Sequence, residues 1–461
     1  MVSLASTVQV TGTLPVHWKY VSEGGATIVF SYRGPPNPDF DGTVLRLRKS
    51  ILSTVPKITR ASELGSQNTE TPGEVEEPDD PMIKFQTTCM ERLIPPEHLP
   101  HLESVHVNRG WLESLIAVHD DERPVDRRLR DQVDLNRTKG VLATDLVGGE
   151  WLAVEIKPKW AFLPSPTHLS EITRPTKTQT CRFCMHSQMK AKMGDSVSLG
   201  YCPLELFSGD KDRVTKAIHS LWNSWMDSNG TVNNLKIFIR GKVIQPSDTS
   251  LMFVESTNQA MDPRDAFTSA LLPMLMNTPV LRILSKLQRS LDCLDIEGLS
   301  NLWRAAEKSA PLYRTTFASF FEKAGGTSGE EPPTSPIGVS SSFLASPEPT
   351  ISDWSDFLDT YLSQTSSQID HTNPSPKNLR YYLLAYLLSA TFKDCSIIIR
   401  LDPLQSAVAQ STQVVPERVT VIDLDPKSMD RLRKWEKLDR EIVQAYLGTD
   451  ENKVCVDGWV E

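Results

Sequence analysis

The stretch Val154-Glu155-Ile156-Lys157-Pro158-Lys159-Trp160-Ala161-Phe162-Leu163-Pro164 constrains this chain more than any other. Side chains of a strand alternate between two faces, so Glu155, Lys157 and Lys159 share one face while Val154 and Ile156 take the other. One face is charged and the other apolar. Pro158 removes a ladder donor and suits an edge or a strand end, where charged groups project into solvent or into a cleft. On this pattern alone, a solvated edge and a built site are both open.

At 461 residues with 39% apolar side chains, the chain has length for two or three packed subregions. Its formal charge of −9 argues against bulk nucleic-acid binding, so any anion site must be a local basic cluster. The N-terminus lacks the charged-then-apolar layout of a secretory signal, and the uncharged run from Tyr381 to Phe392 is too short to span a bilayer. The expectation is a soluble intracellular monomer, in the nucleus and/or the cytoplasm. The cysteines, at 89, 181, 184, 202, 293, 395 and 455, are odd in number and scattered, which fits reduced thiols better than a secreted disulfide framework.

Val16 to Tyr20 and Thr27 to Tyr32 read as strands joined through Ser22-Glu23-Gly24-Gly25-Ala26. A two-glycine hairpin turn exposes backbone N–H groups that can cover phosphates, although most such hairpins are only hairpins. A third strand, Val44 to Lys49, places Arg46 and Arg48 on one face and Leu45 and Leu47 on the other. Ser62 to Pro81 and Gly325 to Pro349 are rich in Pro, Ser, Thr, Gly and acids, and are expected to be disordered insertions. Gly140 to Leu146 and Leu235 to Ile239 read as strands. Lys211 to Met226, Leu271 to Cys293, Leu299 to Phe321 and Asn378 to Thr391 read as helices.

Three stretches carry the chemistry. In Cys181-Arg182-Phe183-Cys184-Met185-His186-Ser187-Gln188-Met189-Lys190, helical spacing stacks Arg182, His186 and Lys190 on one face. Such like charges are mutually repulsive, so the face is either solvated or held against a polyanion. Cys181 and Cys184 with His186 and Cys202 also allow a metal reading, but the second half of a zinc ligand set is then a lone cysteine. Lys427, Arg431 and Trp435 form another stripe at i, i+4 and i+8. Between them, Asp394-Cys395-Ser396 opens a buried-type strand, and Asp423-Leu424-Asp425 closes another, at positions suited to caps or to a Mg²⁺ ligand. Clustered cations, a glycine turn and strand-associated aspartates are the parts of a phosphoryl-transfer enzyme acting on a small polyphosphate.

Several motifs now carry a resemblance: Glu23-Gly24-Gly25-Ala26, Val44-Leu45-Arg46, Glu155-Ile156-Lys157-Pro158-Lys159, Arg182-Phe183 with Met185-His186 and Lys190, Pro203 to Gly209, Asp394-Cys395-Ser396-Ile397, and Ile422-Asp423-Leu424 with Lys427. Together and in this order they resemble the inositol-pentakisphosphate 2-kinases, with features of a fungal-type member. The resemblance implies an α+β, two-lobed kinase-like fold. Residues 1–147 would form an N-lobe with an antiparallel sheet and helices. Residues 148–461 would form a larger mixed α/β C-lobe with an inositol-phosphate-binding extension. It also implies ATP-dependent phosphorylation of the 2-hydroxyl of inositol 1,3,4,5,6-pentakisphosphate, giving the hexakisphosphate, phytate. The alternatives are a non-catalytic inositol-phosphate binder on a degenerate kinase fold and a kinase for another polyol phosphate.

By the same resemblance Gly24, Gly25 and Arg46 attend the ATP phosphates, and Asp145 lies near the lobe connection. Arg123, Lys157, Lys159, Arg182, His186, Lys190, Asn233, Lys427, Arg431 and Trp435 bind the inositol phosphate, with Lys157 nearest the transferred phosphoryl group. Asp394 is the catalytic base, and Asp423 and Asp425 are Mg²⁺ ligands, base and metal roles being exchangeable. Lys236 and Trp435 stand where the family pattern has arginine and a hydroxylated aromatic. The segment between Gly325 and Pro349 holds neither Cys nor His, so no structural zinc is expected.

Overall fold

The computed structural model describes residues 9–52, 77–149, 151–252, 262–308, 348–363, 369–402, 404, 418–449 and 453–458. The N-terminal part is an antiparallel sheet of β1 (Trp18–Glu23), β2 (Thr27–Tyr32), β3 (Thr43–Ile51), β4 (Leu102–His106), β5 (Asp131–Val133) and β6 (Lys139–Thr144). The order is β1-β2-β3-β6-β4, with β5 pairing the far end of β3. Alternation decides its faces. Leu45 and Leu47 of β3 are buried with Trp18, Phe30 and Trp111, against the helix Arg109–His119, while Arg46 and Arg48 emerge on the opposite face, as the sequence requires.

The second sheet contains β7 (Leu152–Ile156), β8 (Leu235–Ile239), β9 (Lys242–Val243), β10 (Ser396–Leu401) and β11 (Val419–Ile422), in the order β11-β10-β7-β8-β9. β7 is central and buried along its whole length. The edge reading of this strand is therefore corrected: Pro158 lies two residues past its end, where no ladder donor is needed. The helix Leu379–Lys393, apolar almost all round, packs in the core of this part together with Val280–Leu291 and Lys211–Asp227. The helix expected from Leu271 to Cys293 is instead two, Pro263–Asn277 and Val280–Leu291. Thr278 is extended (φ −80°, ψ 139°) because it precedes Pro279, and that breaks the run. The fold class is α+β: two antiparallel sheets with the helices gathered around them.

Most of the first expected insertion, and nearly all of the second, lie outside the described residues. The described end of the first is ordered by charge. Glu77 accepts from Arg137, Asp79 from Lys139 and Asp80 from Arg48 in a bidentate pair, and Asp80 also caps the helix Pro81–Thr88 through the Met82 N–H. Of the helix expected from Leu299 to Phe321, the described part is Asp295–Lys308.

Antiparallel pairing builds the site. Ile397 of β10 lies opposite Ile156 of β7, Ser396 opposite Ile422 of β11, and Ile156 opposite Leu235 of β8. The C-terminal ends of β7 and β11 thus meet the N-terminal ends of β10 and β8 at one edge of the sheet. Lys157, Asp423, Asp394 and Asn233 all leave the strands there.

Candidate active site

At that edge, the Lys157 ammonium lies 3.4 Å from Asp423 Oδ2 and 4.0 Å from Glu155 Oε1. Ser396 Oγ lies 2.9 Å from Glu155 Oε1 and 3.1 Å from Asp423 Oδ2, so a hydroxyl links the buried carboxylate to the exposed one. Lys236 reaches the other Glu155 oxygen at 3.6 Å. Asp423 itself has φ 61°, a left-handed conformation that turns the chain sharply out of β11.

Asp394 is met by two lysines, Lys427 at 2.9 Å and Lys159 at 3.4 Å. Burial opposes ionisation of Asp394, but Lys427, Lys159 and Lys157 outweigh it and hold the carboxyl below its ordinary range. Lys159 departs from the extended geometry the sequence suggests, with φ 68°. The buried Gln288 side chain fixes this bend, donating to the Lys159 and Phe392 carbonyls (3.0 Å each) and accepting from the Ala161 N–H at 2.9 Å. One amide therefore ties the lysine loop to the end of the helix preceding Asp394.

Beside Asp394 opens a cavity of about 490 Å³. Its walls include Lys159, Arg182, His186 and Lys190, together with Lys427, Arg431 and Trp435, and Asn233. The three cationic stretches named from sequence thus converge. Their mutual repulsion is visible in His186, whose imidazole is pushed down to about 4 by burial first and then by Arg182, Lys190 and Lys159. Such a wall is suited to an anion carrying several phosphates. Asp394 stands at the rim of the cavity, placed to meet a hydroxyl of whatever the cations hold.

Other sequence-named residues lie outside this cavity. Arg46 lines the cleft between the two sheets with Asp423 and Leu424, and its buried Nε has no hydrogen-bond partner among the described residues. The Gly24 and Gly25 turn is open, with nothing within 4 Å of a Cβ added at either position. Neither glycine has positive φ, so the conformational argument for them is corrected: they keep space clear rather than permit a left-handed turn. Asp145 is buried and accepts from Ser31 (2.6 Å), Arg33 (3.3 Å) and the Gly148 N–H (2.7 Å), which shapes the turn between the sheets.

Arg123 is placed elsewhere than expected. It is 6% exposed and bonded to Glu23, Asp120 and Asp131, with Lys49 joining Glu23 and Asp131, so its guanidinium is already taken. Asp425 uses its carbonyl to accept from Thr391 at 3.2 Å, while its side chain is solvent-facing beside the Asp423 turn.

The sequence reading missed Trp160, Tyr386 and Lys393, which also line the cavity. Lys393 is buried against Asp292 and sits 4.0 Å from the Trp160 ring centre. Its signal was the step from an apolar helix to Lys393-Asp394, which reads locally as a helix end. Also missed was Cys455. It joins Cys181, Cys184 and Cys202 in a buried set whose sulfurs all lie within 4.8 Å of one another. Cys181 and Cys202 sulfurs are 3.9 Å apart, too far for a disulfide. Four thiolates around one zinc at about 2.3 Å would be roughly 3.8 Å apart. The lone-cysteine objection to a metal site therefore falls, because the fourth ligand arrives from the C-terminal segment.

The sequence profile of the inositol-pentakisphosphate 2-kinase family matches residues 20–441. An inositol-pentakisphosphate 2-kinase of Cryptococcus neoformans var. neoformans serotype D is 31% identical over 448 residues, covering 95% of each chain. Relatives bearing the same name from Oryza sativa subsp. japonica and Arabidopsis thaliana are 26% and 24% identical, over 94% and 93% of each chain. With the aspartate pair and the cation-lined cavity in place at the positions of the motifs, this chain belongs to the inositol-pentakisphosphate 2-kinase family.

Proposed function

We propose that this enzyme transfers the γ-phosphoryl group of ATP to the 2-hydroxyl of inositol 1,3,4,5,6-pentakisphosphate, on a two-lobed kinase-like fold with the nucleotide between the sheets. The observation that carries the reading is the placement of Asp394 and Asp423 at one sheet edge, each paired to a lysine, beside a cavity walled by Arg182, Lys190, Lys427 and Arg431. Asp394, kept ionised by its lysines, orients the 2-hydroxyl and takes its proton. Lys157 stands where the transferred group would carry its charge. Lys159, Arg182, His186, Lys190, Asn233, Lys427, Arg431 and Trp435 hold the inositol phosphates.

Asp423 and Asp425 would hold Mg²⁺, which in such enzymes neutralises charge between the β- and γ-phosphates. The unpartnered Arg46 Nε, in the same cleft as Asp423, fits a phosphate neighbour. Free cysteines throughout the described chain fit a reducing, intracellular compartment. The test is conversion of the pentakisphosphate and ATP to hexakisphosphate and ADP by purified protein, against a panel of lower inositol phosphates. Equal turnover of the panel would remove the pentakisphosphate assignment.

In place of the expectation of no structural zinc, Cys181, Cys184, Cys202 and Cys455 form a donor set suited to tetrahedral Zn²⁺. The metal would fasten the C-terminal segment to the helix Arg182–Lys192, which Cys181 caps through the Cys184 N–H. Elemental analysis of protein purified without chelator should find about one zinc per chain, lost in a Cys455→Ser, Cys202→Ser double variant. Metal-free protein with all four thiols modifiable in the native state would exclude it.

A further inference from the structure

Behind the cavity wall lies a buried ion network that the phosphoryl transfer itself does not use. Lys177, 2% exposed, donates to Asp295 and, at 2.8 Å, to Asp439 Oδ2. The second Asp439 oxygen accepts from Arg182 Nε at 2.9 Å. Asp439 is itself 4% exposed and comes from the helix Arg431–Leu447, four residues after Trp435 and eight after Arg431, on the helix face that looks to the cavity.

The geometry points to Asp439 as a positioning residue for the substrate phosphates, acting through Arg182. Arg182 has five donors in a rigid planar fork. Asp439 takes Nε alone, and among the described residues neither Nη group has a hydrogen-bond partner. The guanidinium carbon is held 4.8 Å from the Trp160 ring centre. A fork fixed at its Nε edge and against an indole keeps its two remaining edges for an anion, in one orientation.

A carboxylate this deeply buried would be costly if its only role were to bond one arginine. Lys177 offsets that cost: with Asp295 and Glu297 it closes a set of two cations and three carboxyl groups. Without Asp439, Arg182 is a long flexible side chain whose rotamer freedom returns. Binding of the polyphosphate would then have to order it. The inference rests on the placing of Arg182 in the inositol-phosphate site.

The test is a double-mutant cycle on the full-length enzyme with Arg182→Ala and Asp439→Asn, reading KM and kcat for the pentakisphosphate, KM for ATP and the melting temperature. Asp439→Asn alone should raise the pentakisphosphate KM about tenfold, with kcat and the ATP KM little changed. In the Arg182→Ala background it should add nothing to KM. Equal KM effects in both backgrounds, or a lowered melting temperature with an unchanged KM, would overturn the positioning role. An Arg182→Ala enzyme with wild-type KM would overturn the site assignment, and the positioning role with it. If Asp439→Asn does not fold, Asp439→Glu in the same cycle keeps the charge while displacing the carboxylate, and the same non-additivity is required.

Discussion

The Lys427 ammonium lies 2.9 Å from the Asp394 carboxylate and also lines the cavity for the phosphates. In the proposed reaction one lysine thus serves both the base and its substrate. Asp394 is held below the ordinary carboxylate range by Lys427, Lys159 and Lys157, against the desolvation of its cleft, so it stays ionised as pH falls through that range. Lys427→Met should therefore raise KM for the pentakisphosphate about tenfold and move the acid limb of the kcat/KM profile to higher pH. A pH–rate series on both enzymes checks this; a raised KM with an unmoved acid limb would separate the two roles.

Asp394→Asn and Asp423→Asn should each lower kcat by about 10²- to 10⁴-fold. Their side chains are 55% and 47% exposed, so the melting temperature should stay within a few degrees of wild type. Chromatographic measurement of hexakisphosphate formation decides the matter, and near-normal turnover in both variants would refute the assignment.

His186 gives a pH signature. Its folded value of about 4 lies below its ordinary 6.5, so the ligand-free fold holds a neutral imidazole. The associated stability is complete above about 6.5 and is lost as pH falls toward 4. A bound polyanion reverses the local charge, so binding at about pH 5.5 should take up a proton. Calorimetry in two buffers of different ionisation enthalpy measures that uptake, and His186→Gln should abolish most of it.

Arg123 tests the divide between framework and site. Its removal leaves buried Glu23 with Lys49 alone, and buried Asp131 with Lys49 and the half-exposed Arg130. Arg123→Ala should cost about 3 kcal/mol of stability, read by denaturant unfolding. The pentakisphosphate KM should change less than about twofold at a temperature where the variant is folded. A tenfold KM rise with intact stability would show the guanidinium leaving its carboxylates for substrate.

Local pattern made some of this legible and hid the rest for identifiable reasons. Thr27–Tyr32 and Leu235–Ile239 were readable because short alternating or apolar runs end in turn residues. β4 and the helix Arg109–His119 were obscured by Pro95, Pro96 and Pro100, which blur any period across that window. The cations at Arg182, His186 and Lys190 were found because one helix face carries them all. Asp439, Gln288 and Cys455 were not, since nothing within a helical turn of any of them reports its partner. Gly24 and Gly25 were noticed for their conformational freedom, yet their observed contribution is empty space.

The pairing of β7 with β10 also sets an order of events in time. Ser396 meets Glu155 across 241 positions of chain, and contacts so far apart in sequence form late because the loop between them must first be closed. The β1–β2 and β2–β3 hairpins close over much shorter loops. During refolding, Trp18 should therefore pack on Tyr32 and Phe40 while catalysis is still absent, and activity should return only when the two distant strands have zipped.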